Sequence, residues 1–233
     1  MAISTYENSW DEYAHKWDKD FPEQKHIGDE WIGKSAGAAL NLEEYEKLIV
    51  ENFIAPNIKK SHTVLEIGVG GGKTAALLLK YCDRLVCADV SSAMLKATRD
   101  RLGYERVTYV KLDGTTLDLV GKKTIDFCFC YDTMVHIEPR DIYNYLTRIP
   151  ALLRGDRLCL FHHTNMLSDL GWERFLSDWD QHLFGRKHGT AFSLMTDSIM
   201  EKFLTHLNYE ILSKDTTTVP RDCVWVCRAP IVA

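Results

Sequence analysis

From residue 62 onward the chain alternates short β-rich apolar runs with stretches of helical period. HTVLEIG predicts a strand and TAALLLKYC a helix. RLVCADV predicts a second strand, and SSAMLKATRDRLG a helix with a serine cap and a terminal glycine. RVTYVKLD reads as a third strand. TIDFCFCYD reads as a fourth, whose unbroken apolar run implies burial on both faces. RDIYNYLTRIPALLRG predicts a helix broken at Pro150, and DRLCLFHHT a fifth strand. TDSIMEKFLTHLNY predicts a last helix. YEILSKDTTTV and DCVWVCRAP predict two strands that turn at Pro220-Arg221 into a terminal hairpin. The alternation predicts an α/β fold, a mostly parallel sheet covered on both sides with one antiparallel edge.

Two regions fall outside this rhythm. Residues 1–60 are rich in aromatics and charges and predict an N-terminal helical cap on a core spanning 61–233. Within them, Leu42, Tyr45, Leu48, Ile49 and Phe53 share a helical face; Asn41 can cap its start and Pro56 follows its end. Residues 166–195 are long, aromatic and glycine-punctuated, and read as an insertion covering a site. There Trp172, Phe175 and Trp179 stand at helical spacing, with Phe184 behind them, and read as a small hydrophobic core.

Composition narrows the class. The 233 residues suit one domain with decorations, and 45% hydrophobic and 26% charged residues are ordinary globular values. A net charge of −5 argues against a nucleic-acid partner, which demands a basic face. Seven cysteines, an odd count without a C-x-x-C pair, sit mostly in apolar runs and read as buried thiols in a reducing compartment. The zinc spacings are missing, so no metal is expected. The chain opens with polar MAISTYENSWDEY and holds no apolar run of the ~20 residues that span a bilayer. A cytoplasmic protein without a membrane span is expected.

The candidate chemistry begins at VLEIGVGGGKTAALLL, Val64 to Leu79, a strand-to-helix turn with four glycines. Three ligands compete for it. A phosphate loop of the form G-x-x-x-x-G-K-[ST] is closed by Gly72-Lys73-Thr74, but Ile67 stands where its first glycine belongs. A dinucleotide fingerprint G-x-G-x-x-G meets Lys73 at its third glycine. The third pattern, E-x-G-x-G-x-G, fits Glu66, Gly68, Gly70 and Gly72 and suits S-adenosylmethionine, whose amino end is cationic. That ligand calls for an acid at the end of the second strand for the ribose hydroxyls, where Asp89 stands. A polar group at the end of the third, where Asp113 and Gly114 stand, would meet its adenine. Each acid can also be a cap or turn former; three at successive strand ends favour the ligand.

With these residues in place, the stretch 62–228 resembles the class I S-adenosylmethionine-dependent methyltransferases, in their small-molecule branch. VLEIGVGGG, CADVSSAML, KLDGTTL, DFCFCYDTMVHIEP and ALLRGDRLCLFHH are similar to that family's successive motifs; Arg154-Gly155-Asp156 departs from its usual L-K-P-G-G. The resemblance implies a Rossmann-like seven-stranded sheet of order 3-2-1-4-5-7-6. It also implies S-adenosyl-L-methionine as cofactor, held by Tyr13, Trp17, Glu66, Gly68, Gly70, Gly72, Asp89, Val90, Met94, Asp113, Gly114 and Tyr131. Tyr13 and Trp17 lie in WDEYAHKWD, similar to the opening segment of small-molecule members.

The acceptor is less legible. YDTMVHIEP stands where nucleic-acid amino-methylating members carry an N-P-P-Y type motif. Histidines cluster instead: His136 after strand four, His162 and His163 at the end of strand five, His182 and His188 in the insertion. Imidazole suits proton abstraction from a hydroxyl, so His136, His162 and His163 are the candidate catalytic bases. HIGDEWIG and CYDTMVHIEPRDIYNYL resemble bacterial sugar- and polysaccharide-modifying methyltransferases, which implies O-methylation of a small polar acceptor such as a sugar or phosphorylated sugar. Arg186, Lys187 and His188 could bind an anionic part of it. N-methylation of a small amine or natural product, and a cofactor-binding protein without turnover, are the alternatives.

Overall fold

A computed structural model describes residues 5–31, 41–180 and 189–232. Seven strands form one sheet of order β3-β2-β1-β4-β5-β7-β6: β1 (Thr63–Ile67), β2 (Arg84–Asp89), β3 (Val107–Lys111), β4 (Ile125–Cys130), β5 (Leu153–Thr164), β6 (Glu210–Asp215) and β7 (Asp222–Arg228). The first five run parallel, and β7 lies antiparallel between β5 and β6. The helices are α1 (Thr5–Asp20), α2 (Leu42–Ile49), α3 (Lys73–Leu78), α4 (Ser92–Leu102), α5 (Pro139–Arg148), α6 (Asp169–Asp178) and α7 (Asp197–His206). This is the Rossmann-like sheet the motifs imply.

The alternation of side chains along each strand divides the core in two. Leu65, Ile67, Cys128, Cys130 and Phe161 face α5 and α7, packed with Ile142, Leu146, Met200 and Leu204. Val64, Phe127, Phe129, Leu160 and Val224 face the other way, against Tyr45, Ile49 and Phe53 of the segment around α2. Central strands buried on both faces explain the continuous apolar run of IDFCFC, in which only Asp126 is polar. Asp126 sits at the strand start, where Arg154 grips it with Nε and Nη2, both at 2.9 Å.

Local signals act as the sequence reading expects. Asn41 caps α2 in a reciprocal box with Glu44, and Ser91 caps α4 by accepting from the Met94 N–H at 3.0 Å. The helix before β5 stops at Arg148, and Pro150 opens a tight turn of four residues. The aromatic insertion departs from expectation. In α6, Trp172 and Phe175 stack on each other at 5.1 Å, yet Trp172 and Trp179 are each 48% exposed. They form no closed core among the described residues. Phe184 lies outside those residues, as do His182, Arg186, Lys187 and His188.

Helix α1 lies across the carboxyl ends of the strands and is tied there by polar contacts. Asp11 accepts from Ser91 Oγ at 2.6 Å and from the Ala93 N–H at 3.1 Å, a second cap on α4. Tyr6 donates to Asp141 at 3.0 Å and accepts from the Glu138 N–H at 3.0 Å, which fastens α1 to the start of α5. Desolvation and the neighbouring carboxylates push the Tyr6 phenol up to about 12, so it stays a donor.

Candidate active site

Open parallel sheets bind ligands in the crevice outside the carboxyl ends of their strands. Here that crevice is a cavity of about 750 Å³ roofed by α1. Its floor is the turn from β1 into α3. Gly68 adopts φ +75, and a Cβ there would fall 2.1 Å from the Thr133 side chain. Gly71 passes so close to Ile27 that a Cβ would meet the Ile27 carbonyl oxygen at 1.9 Å. The loop is therefore pressed between the turn after β4 and the segment before residue 31, and only glycine fits at Gly68 and Gly71.

Two acids face this loop. Asp89 accepts from the Gly70 N–H at 2.9 Å and from the Ser91 N–H at 2.8 Å. Burial raises its pKa to about 6, against the lowering effect of those backbone donors. Glu66 is 1% exposed, and its Oε2 has no hydrogen-bond partner. Desolvation, and then the nearby Asp89 charge, hold its pKa well above the ordinary carboxylate range. A buried, unsatisfied carboxyl at a cavity wall is costly unless a ligand completes it. A cationic ammonium end does so, and the residues present fit S-adenosylmethionine on that ground.

The carboxyl end of β4 forms the opposite wall. Asp132 sits at φ +57, a backbone conformation that costs a non-glycine residue energy. Burial raises its pKa, but Lys73, His162 and Arg221 outweigh that and keep it below the ordinary value. Lys73 Nζ lies 3.3 Å from Asp132 Oδ2 and over the Tyr45 ring. The Asp132 N–H donates to His162 Nδ1 at 2.9 Å, so His162 carries its proton on Nε2 and donates it to Asp222 at 3.1 Å. Lys73, the lysine that interrupts the dinucleotide fingerprint, is thus a cavity cation paired with Asp132.

The three candidate histidines occupy different environments. His136 lines the cavity, flanked edge-on by Trp10 and Phe192, each at 5.1 Å. Its Nδ1 lies 3.3 Å from the Ala191 carbonyl, which can only accept, leaving Nε2 as the proton acceptor. Desolvation holds its pKa below the ordinary value, so it is neutral near pH 7. His162 and His163 are fully buried and do not reach the cavity. His163 accepts from Trp225 Nε1 at 2.8 Å and donates to the Thr164 carbonyl, and burial lowers its pKa to about 4. Strand alternation points the pair to opposite faces as expected, but both faces are core, because β7 covers the end of β5.

Of the twelve residues expected around the cofactor, Tyr13, Glu66, Gly68, Gly70, Asp89, Val90, Met94, Gly114 and Tyr131 line the cavity. Trp17, Gly72 and Asp113 do not. Trp17 is a buried residue of α1, and Gly72 turns the chain into α3 at φ +82. Asp113 is exposed, and its carboxylate is spent on Thr115 and Thr116, whose N–H groups hold its pKa down to about 2. Tyr13 is itself committed to Glu30, which receives its hydroxyl proton, and to Trp31 Nε1 at 2.8 Å. Sequence reasoning missed Trp10, Asp132, Arg174 and Arg221, all cavity residues. Trp10 and Asp132 stand inside quoted motif segments, WDEYAHKWD and DFCFCYDTMVHIEP; Arg174 and Arg221 stand in none.

A seven-stranded sheet of this order, with a glycine turn after β1 and an acid ending β2 at one cavity, defines the class I methyltransferase architecture. Residues 64–156 match the family model described as a methyltransferase domain. That stretch is a methyltransferase domain, set in the sheet described above. No curated protein matches it in sequence. Among solved structures it is similar to an S-adenosylmethionine-dependent methyltransferase from Anabaena variabilis, with 15% identity, a TM-score of 0.70, and 98% of this chain and 96% of that one covered. It is similar to DhpI in its complex with S-adenosylmethionine and HEP, with 17% identity, a TM-score of 0.65 and 96% of each chain covered. It is also similar to magnesium protoporphyrin IX methyltransferase from Synechocystis with bound SAH, with 15% identity, a TM-score of 0.63, and 96% of this chain and 98% of that one covered. At these identities the likeness speaks to the fold.

Proposed function

We propose that the enzyme methylates a hydroxyl oxygen of a small polar acceptor, such as a sugar or glycan-linked group, with His136 as general base. S-adenosylmethionine, when bound, supplies a methyl group on a positively charged sulfur. Glu66 faces the cationic amino end of that donor, and Asp89 receives its ribose hydroxyls while holding the glycine loop through Gly70. Residues 1–60 act as the cap: α1 roofs the cavity and keeps bulk water from the reacting groups. With the donor bound, the acceptor oxygen would take its methyl group, and His136 Nε2 would receive the proton that the acceptor gives up. Positioning and proton removal are then the protein's tasks.

The observation that carries this reading is His136 itself. It is the one candidate histidine at the cavity, neutral near pH 7, with its Nδ1 side turned to a carbonyl. The seven cysteines are all free and buried, which supports a reducing, cytoplasmic setting. Among the described residues no helix is long and apolar enough to cross a membrane. The test is transfer of labelled methyl from S-adenosylmethionine to a panel of hydroxylated and aminated acceptors. Labelled ether products that vanish with His136→Ala support the reading; N-methyl products at full rate in that variant overturn it.

A second reading, N-methylation of a small amine, draws on Asp132, an anionic cavity group at a strained backbone position. It fits an ammonium less well, because Lys73 already occupies one of its oxygens.

A further inference from the structure

Resting on the small-acceptor reading above, we infer that the acceptor carries a carboxylate or phosphoryl group, and that Arg174 and Arg221 hold it. The two arginines come from α6 and from the residue preceding β7, and both line the cavity. Their guanidinium carbons lie 4.5 Å and 4.6 Å from the centre of one ring, Phe192. The same ring packs against His136 at 5.1 Å. The proposed base and two guanidinium groups therefore all pack on one aromatic ring of the cavity wall.

The build of Arg221 is what points to a ligand. It is only 9% exposed, and a buried guanidinium is expensive unless its donors are met. Nε and Nη2 are met by the two Asp222 oxygens at 2.9 Å and 2.6 Å. Nη1 has no partner among the described residues, although the group lines the cavity. Asp222 is in turn held by His162, whose Nδ1 accepts from Asp132. The buried His162 is thus a positioning residue that fixes Arg221 through Asp222. Arg174 is anchored more loosely: Nη2 lies 2.9 Å from Asp178, and the side chain is 42% exposed. A flat guanidinium on an aromatic face keeps its N–H edge free for a planar or tetrahedral oxyanion, a geometry an ammonium cannot offer. A neutral sugar would have no use for two such cations in its wall.

The sequence offers other basic residues for an anionic part of the acceptor. Arg186, Lys187 and His188 are the basic residues that composition points to, and they lie outside the described residues. The arginines placed at the cavity stand alone in sequence, each beside or one turn from an acid.

The experiment needs no knowledge of the acceptor. Calorimetry on the full chain saturated with S-adenosylhomocysteine would titrate inorganic phosphate, methylphosphonate and acetate against chloride at matched ionic strength. At least one oxyanion should bind above the chloride background, and the preference between phosphate and acetate names the group. Arg174→Gln, on an exposed helix face and safe for folding, should weaken that binding about tenfold. Arg221→Lys should weaken it while keeping the charge, because a lysine cannot grip Asp222 and the anion together. Oxyanion binding no better than chloride, or unchanged in Arg174→Gln, overturns the inference. S-adenosylmethionine binding is measured separately: a protein that binds the donor but no oxyanion refutes this inference alone. One that binds oxyanions but not the donor refutes the methyl-transfer reading.

Discussion

Asp89 accepts the backbone N–H of Gly70 at 2.9 Å, so the acid that ends β2 and the glycine turn that follows β1 are one unit. The acid shapes the loop before any ligand arrives, and its second oxygen holds the Ser91 N–H at the start of α4. Asp89→Ala removes both bonds and, with them, the contact proposed for the ribose. S-adenosylmethionine affinity in calorimetry should fall at least about tenfold. Asp113→Ala, at an exposed turn, should leave that affinity within about twofold.

Glu66 links ligand binding to protons. Its folded pKa is raised by burial and by Asp89, so the folded protein holds a proton there that the unfolded chain gives up. The stability from this group is fully present below its unfolded value near 4.5 and is lost as pH rises through the raised folded value. Glu66→Gln removes that loss: its melting temperature should exceed wild type near pH 8, and the gap should close toward pH 4. Binding the cationic donor favours the ionised carboxylate, so wild type should release a proton on binding, seen as a buffer-dependent enthalpy. A buffer-independent enthalpy in wild type would remove Glu66 from the ammonium site.

The buried and the cavity histidines should separate cleanly. His136→Ala should lower turnover about 10²–10⁴-fold with donor affinity unchanged. The acid limb of kcat/KM in wild type should lie below pH 6.5, because burial lowers the His136 pKa, and should disappear in the variant. His162→Ala leaves Asp222 and the Asp132 N–H without their imidazole, and should cost about 1–3 kcal/mol for each buried partner left unmet, read in denaturant unfolding. A His162 variant of full stability and reduced turnover would assign it to the chemistry instead.

Gly71→Ala tests the packing of residues 21–31 on the donor loop. The added Cβ would collide with the Ile27 carbonyl oxygen, a backbone atom that cannot swing away. The variant should lose about 1–3 kcal/mol in thermal or denaturant unfolding and bind the donor more weakly.

Strand positions were readable because central strands buried on both faces must be apolar throughout, and IDFCFC shows that pattern without help from its neighbours. Helix ends were readable because Asn41 and Ser91 cap through their own side chains, a contact within four residues. The same locality misled at Asp113. An acid at the end of a third strand looks identical whether it meets a ligand or closes its own turn, and here Thr115 and Thr116 take it. It misled at the histidine pair as well. His162 and His163 were rightly set on opposite faces, but only the antiparallel insertion of β7 beside β5 makes both faces interior.

The sequence by itself determined the periodicities, the glycine turn with Glu66, and the spacing that carries Asp89 to the end of the next strand. These are short-range properties of one chain segment at a time. The tertiary structure decided which polar groups share a cavity. Trp10 from the first helix, Asp132 and His136 from the turn after β4, Arg174 from α6 and Arg221 before β7 meet across sequence distances that no local pattern encodes. Their company follows from strand order and the path of α1 over the sheet. That order is set by burying two apolar faces at once, a property of the whole chain.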